Sequence, residues 1–152
     1  MLAGLMMDRP LMIIGLLRHA AQNYADQVIT SRFAVETAHH YTWKDAWHRT
    51  ARLAHALDAL GVKPGDRVGT LAWNDHRHLE LYYALPGIGA VCHTVNPRLF
   101  PDQITYIVNH AEDRFLFVDP MFVPLVEKLW PSFRGVEAVS YTHLAGDSQM
   151  TL

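Results

Sequence analysis

The chain has 152 residues, half of them hydrophobic and 18% charged, which is material for one domain or part of one. Thirteen Lys and Arg against fifteen Asp and Glu give a formal net charge of -2, and no basic stripe is present, so nucleic acid is a poor partner. The single cysteine, Cys92, excludes an internal disulfide and fits a reducing compartment.

Met1 to Arg9 reads as a ragged start. The apolar run Leu11 to Leu17 is far short of the roughly 20 residues that span a bilayer. Asp8, Arg9 and Pro10 interrupt any secretory core. Met12 to Tyr24 has Ile13, Leu16, Leu17, Ala20 and Tyr24 at helical spacing. Val28 to Phe33 and His39 to Trp43 read as short strands. Ala34 to Thr37 joins them in a hairpin.

Thr42, with Asp45 three residues on, predicts a capped helix whose buried stripe is Ala46, Thr50, Leu53, Leu57 and Leu60. Gly61 suits its left-handed end, and Pro64-Gly65 a turn. Arg67 to Trp73 reads as a strand. Asn74 is the expected cap of a helix from Asp75 to about Ile88, with Leu79, Tyr82, Tyr83 and Leu85 inward. Pro86 should kink or end that helix.

Ala90 to Val95 reads as a strand buried on both faces, followed by an Asn96-Pro97 turn. Pro101 suits the first turn of a helix with Ile104, Ile107, Val108 and Ala111 inward, although Phe100 is a poor cap. Phe115 to Val118 is a strand, and Asp119-Pro120 leads into a helix ending near Trp130. Alternation of strand and helix after the hairpin predicts an α/β fold with a mostly parallel sheet flanked by helices.

From Val139 the pattern changes. Val139-Ser140-Tyr141-Thr142-His143-Leu144 is what a common sequencing-transposon end gives when translated in one frame. The expectation is a native portion over 1–138 and a foreign read-through tail over 139–152.

The chemistry-bearing residue types do not converge in the sequence. His76 and His78, two apart at a helix start, read as a solvated helix end rather than a metal site. His39 and His40 point to opposite faces of a strand, and His48 and His55 lie two helical turns apart. Trp43, Trp47 and Trp73 read as core packing. Cys92 has no base near it in sequence. Gly87-Ile88-Gly89 lacks the lysine and hydroxyls of a phosphate cradle and reads as close packing of a helix end on a strand. Asn96 and Arg98 follow a strand end, where open α/β sheets bind ligands, and are the best local guess for a functional edge; turn formation and a surface ion pair explain them equally well.

Several segments, in order, resemble the N-terminal region of acyl-CoA synthetases, fatty-acid–CoA ligases of the AMP-binding, adenylate-forming superfamily. They are Tyr41-Thr42-Trp43-Lys44-Asp45-Ala46, Leu60 to Val68, Trp73-Asn74 with Leu79 to Ala84, Gly87 to Val91 with Thr94 to Leu99, and Gln103 to Asn109 leading to Phe117-Val118-Asp119. They cover about residues 10 to 130. Asn96-Pro97-Arg98-Leu99 is most similar to the medium- or long-chain branch. Pro86 and Phe100 depart from the family pattern.

The resemblance implies the first part of the adenylate-forming fold, opening on a β-hairpin. It implies activation of a fatty acid with ATP, Mg²⁺ and CoA, through acyl-adenylate to acyl-CoA. It also implies a cytoplasmic enzyme, with peripheral membrane attachment and a homodimer left open. The family's Ser/Thr/Gly-rich phosphate loop and its C-terminal lysine do not occur before Ala138. No catalytic, cofactor-binding or metal-binding residue is therefore assigned, and the chain alone is expected to be inactive. The alternatives are an aryl- or amino-acid-activating ligase, or a non-catalytic binding or dimerisation module.

Overall fold

The computed structural model describes residues 4, 9–32 and 38–141. Most of the start Met1–Arg9, the hairpin connection Ala34–Thr37 and residues 142–152 of the expected tail lie outside the described residues. Helix α1 (Ile14–Asn23) is followed by β1 (Val28–Arg32) and β2 (Ala38–Thr42), which pair antiparallel with Ile29 opposite Tyr41. Helix α2 (Trp43–Ala59) starts on the expected box: Thr42 Oγ1 accepts from the Asp45 amide at 3.1 Å, and Asp45 Oδ2 accepts from the Thr42 amide at 3.0 Å. Each such cap contributes about 1 kcal/mol. Gly61 closes the helix at φ 85°, a conformation that glycine adopts without steric cost.

Then follow β3 (Arg67–Leu71), α3 (His76–Gly87), β4 (Val91–Thr94), α4 (Pro101–Ala111), β5 (Phe115–Val118), a 3-10 turn over Pro120–Phe122, α5 (Val123–Leu129), a second turn over Trp130–Ser132, and β6 (Ala138–Tyr141). The four later strands form one parallel sheet in the order β4-β3-β5-β6. Side chains of a strand alternate between faces, and two cores follow from that. Val68, Phe115 and Phe117 face α2 and α3, packing with Leu57, Leu81 and Leu85. Leu71, Leu116 and Val118 face α4 and α5, packing with Ile104, Val108 and Val126. A fully buried leucine such as Leu57 or Leu85 stabilises the fold by about 1.5–3 kcal/mol. A third cluster of Leu17, Tyr41 and Ala46, joined by Trp43 and Trp47, seats α1 and the hairpin on α2.

Several expectations change. The cap of α3 is Asp75, not Asn74, because the Asp75 carboxylate accepts from the amides of Arg77 and His78. The inward residues of α3 are His76, Glu80, Leu81, Ala84 and Leu85, while Tyr82 is exposed. Polar partners on other elements draw His76 and Glu80 inside; Tyr82 turns outward, while Tyr83 is half-buried against the cluster of Leu17, Tyr41 and Ala46. Strand β4 is an edge rather than a doubly covered strand, and Val91 is exposed. Helix α3 runs through Pro86 by one residue before it stops. Phe100 caps α4 through its backbone alone, with its amide donating to Gln103 Oε1 at 3.0 Å. Val139, at the start of the expected tail, is buried in β6 beside Leu116.

Candidate functional site

The sheet changes direction between β3 and β5. From β3 the chain moves outward to β4, then returns across β3 to β5 and β6. The loops after β3 and β5 therefore diverge, and the general rule for open α/β sheets places the ligand-receiving crevice beyond the carboxyl ends of these two strands.

Three charged side chains meet beyond those strand ends. Asp75 Oδ2 accepts from Arg77 Nη2 at 2.6 Å and from Nε at 3.0 Å. Asp75 Oδ1 takes the Arg77 and His78 amides at 2.8 and 3.1 Å. Arg77 reaches across to Asp119 Oδ2 at 3.4 Å, and Asp119 Oδ1 caps the turn at the Met121 amide. The three side chains are 5%, 16% and 11% exposed, for Asp75, Arg77 and Asp119 in turn, so the triad ties the ends of β3 and β5 together out of bulk water.

An aromatic rim stands beside it. Trp73 is 39% exposed, its indole N–H donates to Met121 Sδ at 3.2 Å, and its ring lies 5.2 Å from that of Phe122. Arg98 arrives from the end of β4 with its guanidinium 5.9 Å from the Trp73 centroid, a cation–π distance. Asn96 holds that loop by accepting from the Arg98 amide at 3.0 Å. Of the two residues singled out in sequence, Arg98 thus reaches the crevice and Asn96 shapes its turn. Trp73 corrects the core expectation; Trp43 and Trp47 do pack against the third cluster. Asp75, Arg77 and Asp119 were missed. The signal available was an acid near the end of each of two strands, Asp119 directly after β5 and Asp75 four positions past β3.

The histidines also separate. His76 is buried, and His78 Nε2 meets Thr70 Oγ1 at 3.0 Å, so neither is a solvated helix end. His40 faces Thr30, while His39 points the other way and stacks on His76, 3.8 Å between centroids and 18° between planes. His93 on β4 pairs with the fully buried carboxyl of Asp113 at 2.8 Å beneath Gly69. A Cβ at Gly69 would stand 2.9 Å from Asp113 Oδ2 and 2.8 Å from Leu116 Cδ1. Burial raises the Asp113 carboxyl and the His93 hydrogen bond opposes that rise. Burial pushes the Cys92 thiol up to about 11, which keeps it protonated and weakly nucleophilic at neutral pH. Gly87 lies against Ile14, and Gly89, at φ 84°, against Pro64. Close packing is therefore their role, against α1 and a turn rather than a strand. Among the described residues no group of three or more His, Cys, Asp or Glu is placed to hold a metal ion, and no helix is long and apolar enough to cross a membrane.

Residues 17–149 match the family described as AMP-binding enzyme. The chain is 50% identical over 123 residues to a 3-methylmercaptopropionyl-CoA ligase of Ruegeria lacuscaerulensis, covering 81% of this chain and 23% of that protein. It is 45% identical over 138 residues to a medium-chain-fatty-acid–CoA ligase of Ectopseudomonas oleovorans, covering 89% and 25%. The fold is similar to the crystal structure of a long-chain-fatty-acid-CoA ligase from Archaeoglobus fulgidus. The TM-score there is 0.78 at 21% identity, over 93% of this chain and 29% of that one. The chain thus spans about a quarter of the length of the curated relatives it matches.

Proposed function

Because the chain belongs to the AMP-binding enzyme family, we propose that it is the N-terminal part of an ATP-dependent fatty-acid–CoA ligase. In that reaction a carboxylate oxygen attacks the α-phosphate of ATP, forming acyl-adenylate and releasing pyrophosphate. The thiol of CoA then attacks the acyl carbon, a thioester forms, and AMP leaves. The observation that carries this reading is the crevice at the β3–β5 reversal, with Arg98 over Trp73 on its rim. A planar aromatic surface beside a guanidinium suits a nucleotide-bearing substrate, which has both a π-face and phosphate charge.

The role of this chain within that reaction is positional. The Asp75–Arg77–Asp119 triad fixes the strand ends, and Trp73 with Arg98 lines one wall. Mg²⁺ would neutralise phosphate charge in the intact enzyme, but the carboxylates of the crevice are engaged by Arg77 and by backbone amides, so they do not fit as its ligands. On this reading residues 1–138 are ligase and 139–152 are foreign. The family match reaches 149 and β6 includes Val139, so the position of that boundary is open to direct measurement. A cytoplasmic protein accords with the reduced Cys92 and the absence of a spanning helix among the described residues.

The test is long-read sequencing of the source locus across the codons for Ala138 and Val139, then expression of the product. Pyrophosphate release is measured with fatty acids of graded length and with aryl and amino acids. The expected result is a frame running into a Ser/Thr/Gly-rich loop ending in Pro-Lys-Gly, and release driven by fatty acids. A product driven only by aryl or amino acids moves the substrate to another branch. A genomic stop after Leu152 overturns the ligase reading.

A further inference from the structure

Sulfur is placed in this chain in two different ways. Cys92 lies half-buried on β4, and its protonated thiol is a poor target for an oxidant at neutral pH. Met121 lies on the turn after β5 and is 67% exposed. A thioether needs no deprotonation to be oxidised, only access to a sulfur lone pair. Met121 offers that access, and one of its two lone pairs is already engaged, because the Trp73 indole N–H donates to Sδ at 3.2 Å. We propose that Met121 is a modification site for peroxide, where Trp73 directs the oxygen to one face of the sulfur and then holds the sulfoxide that forms.

Both sides of this contact are anchored. Asp119 Oδ1 accepts from the Met121 amide at 3.1 Å, and the Phe122 amide donates to the Asp119 carbonyl at 2.8 Å. The 3-10 turn Pro120–Phe122 therefore carries Met121 in one place. Trp73 is fixed from the β3 side, with its ring 5.2 Å from Phe122 and the Arg98 guanidinium 5.9 Å from its centroid. The indole N–H thus faces the sulfur from a constant direction. Among the described residues Met121 is the only sulfur that receives an indole N–H, so Met12, 52% exposed, is an internal comparison.

In the step itself the free lone pair of Sδ attacks one oxygen of hydrogen peroxide. An S–O bond forms, the O–O bond breaks, and the departing hydroxide takes the proton of the transferred oxygen and leaves as water. Sulfur is oxidised and peroxide is reduced by the same two electrons. A thioether sulfur is a weak acceptor, whereas the sulfoxide oxygen carries substantial negative charge. Rotation about the flexible Cγ–Sδ bond brings that oxygen to the indole, so Trp73 stays held while its apolar flank turns polar. Sulfoxide is reversible by enzymes that each accept one epimer, which makes the direction of attack readable. The chemistry needs peroxide and this rim alone, whatever reaction the intact protein performs.

The experiment treats the 152-residue chain with hydrogen peroxide, maps the oxidised peptides by mass, and splits the sulfoxide with two epimer-specific reductases. One epimer at Met121 is expected in about fivefold excess, the ratio that an ordinary neutral hydrogen bond sets, while Met12 gives both. The Trp73 indole N–H signal in NMR should move downfield on oxidation, with Trp43, Trp47 and Trp130 as references. Trp73→Phe keeps a ring beside Phe122 and removes the donor, so the excess should vanish. The urea-unfolded native chain supplies the same comparison without a variant, and it too should give both epimers. Equal epimers in the folded chain, an excess that survives unfolding or Trp73→Phe, or an indole signal that stays still would each overturn the proposal.

Discussion

The two ends of the parallel sheet are built from the same residue types and differ in what water reaches. At the amino end, Arg114 pairs with Asp66 and Glu137, and Arg67 with Glu112, with Arg114, Arg67, Glu112 and Glu137 each a third or more exposed. At the carboxyl end, Asp75, Arg77 and Asp119 form a comparable network almost out of solvent, with exposed Trp73 and Met121 above it. Exposed pairs are weak and screened by salt, whereas a buried network is costly to break once made. The contrast teaches that charge on one end closes the fold, and charge on the other holds loops in place around a crevice. Apolar side chains left in water at that second end are the part unaccounted for by folding.

Breaking the carboxyl end should cost most. Asp75→Ala removes the α3 cap and the 2.6 Å partner of Arg77 together, and the urea midpoint should report a loss of about 3 kcal/mol. Midway between the ends, Gly69→Ala forces a methyl group against Leu116 and the Asp113 carboxyl, with an expected loss of about 1–3 kcal/mol by the same measurement. Trp73→Ala should change stability by about 1 kcal/mol or less, yet, on the proposed ligase reading, lower turnover of the full-length protein about tenfold or more; equal losses in both would make the rim merely structural. The smallest effect belongs to Arg114→Ala, a slight fall in midpoint that vanishes at high salt. Arg114 holds Asp66 and Glu137 below their ordinary values. That contribution is present above the usual carboxylate range and disappears as pH falls through the depressed values, so native and variant chains should converge in acid.

Much of this architecture is legible in the sequence because periodicity records which face is buried. Strand β5 falls where an unbroken Phe-Leu-Phe-Val run predicts it, and α2 begins on the Thr42–Asp45 box. What is not legible depends on partners distant along the chain. Glu80 looks like a surface residue until Arg49, 31 positions earlier, is placed opposite it. His76 looks solvated until the hairpin brings His39 onto its ring. Composition made β4 seem central, but position in a sheet is set by the order of crossovers, which no single segment encodes. The crevice shows the same division. Arg98 could be suspected from its place after a strand, whereas the Arg77 bridge needed both strand ends in space.

The reversal between β3 and β5 also governs how the chain is made. Arg67 pairs with Val91 on one side, 24 positions on, but Val68 must wait for Phe115, 47 positions on. As the polypeptide leaves the ribosome, β3 can acquire β4 while its other hydrogen-bonding edge stays open until α4 and β5 have emerged. Through that interval the central strand of the finished sheet is a temporary border strand, able to recruit another nascent chain.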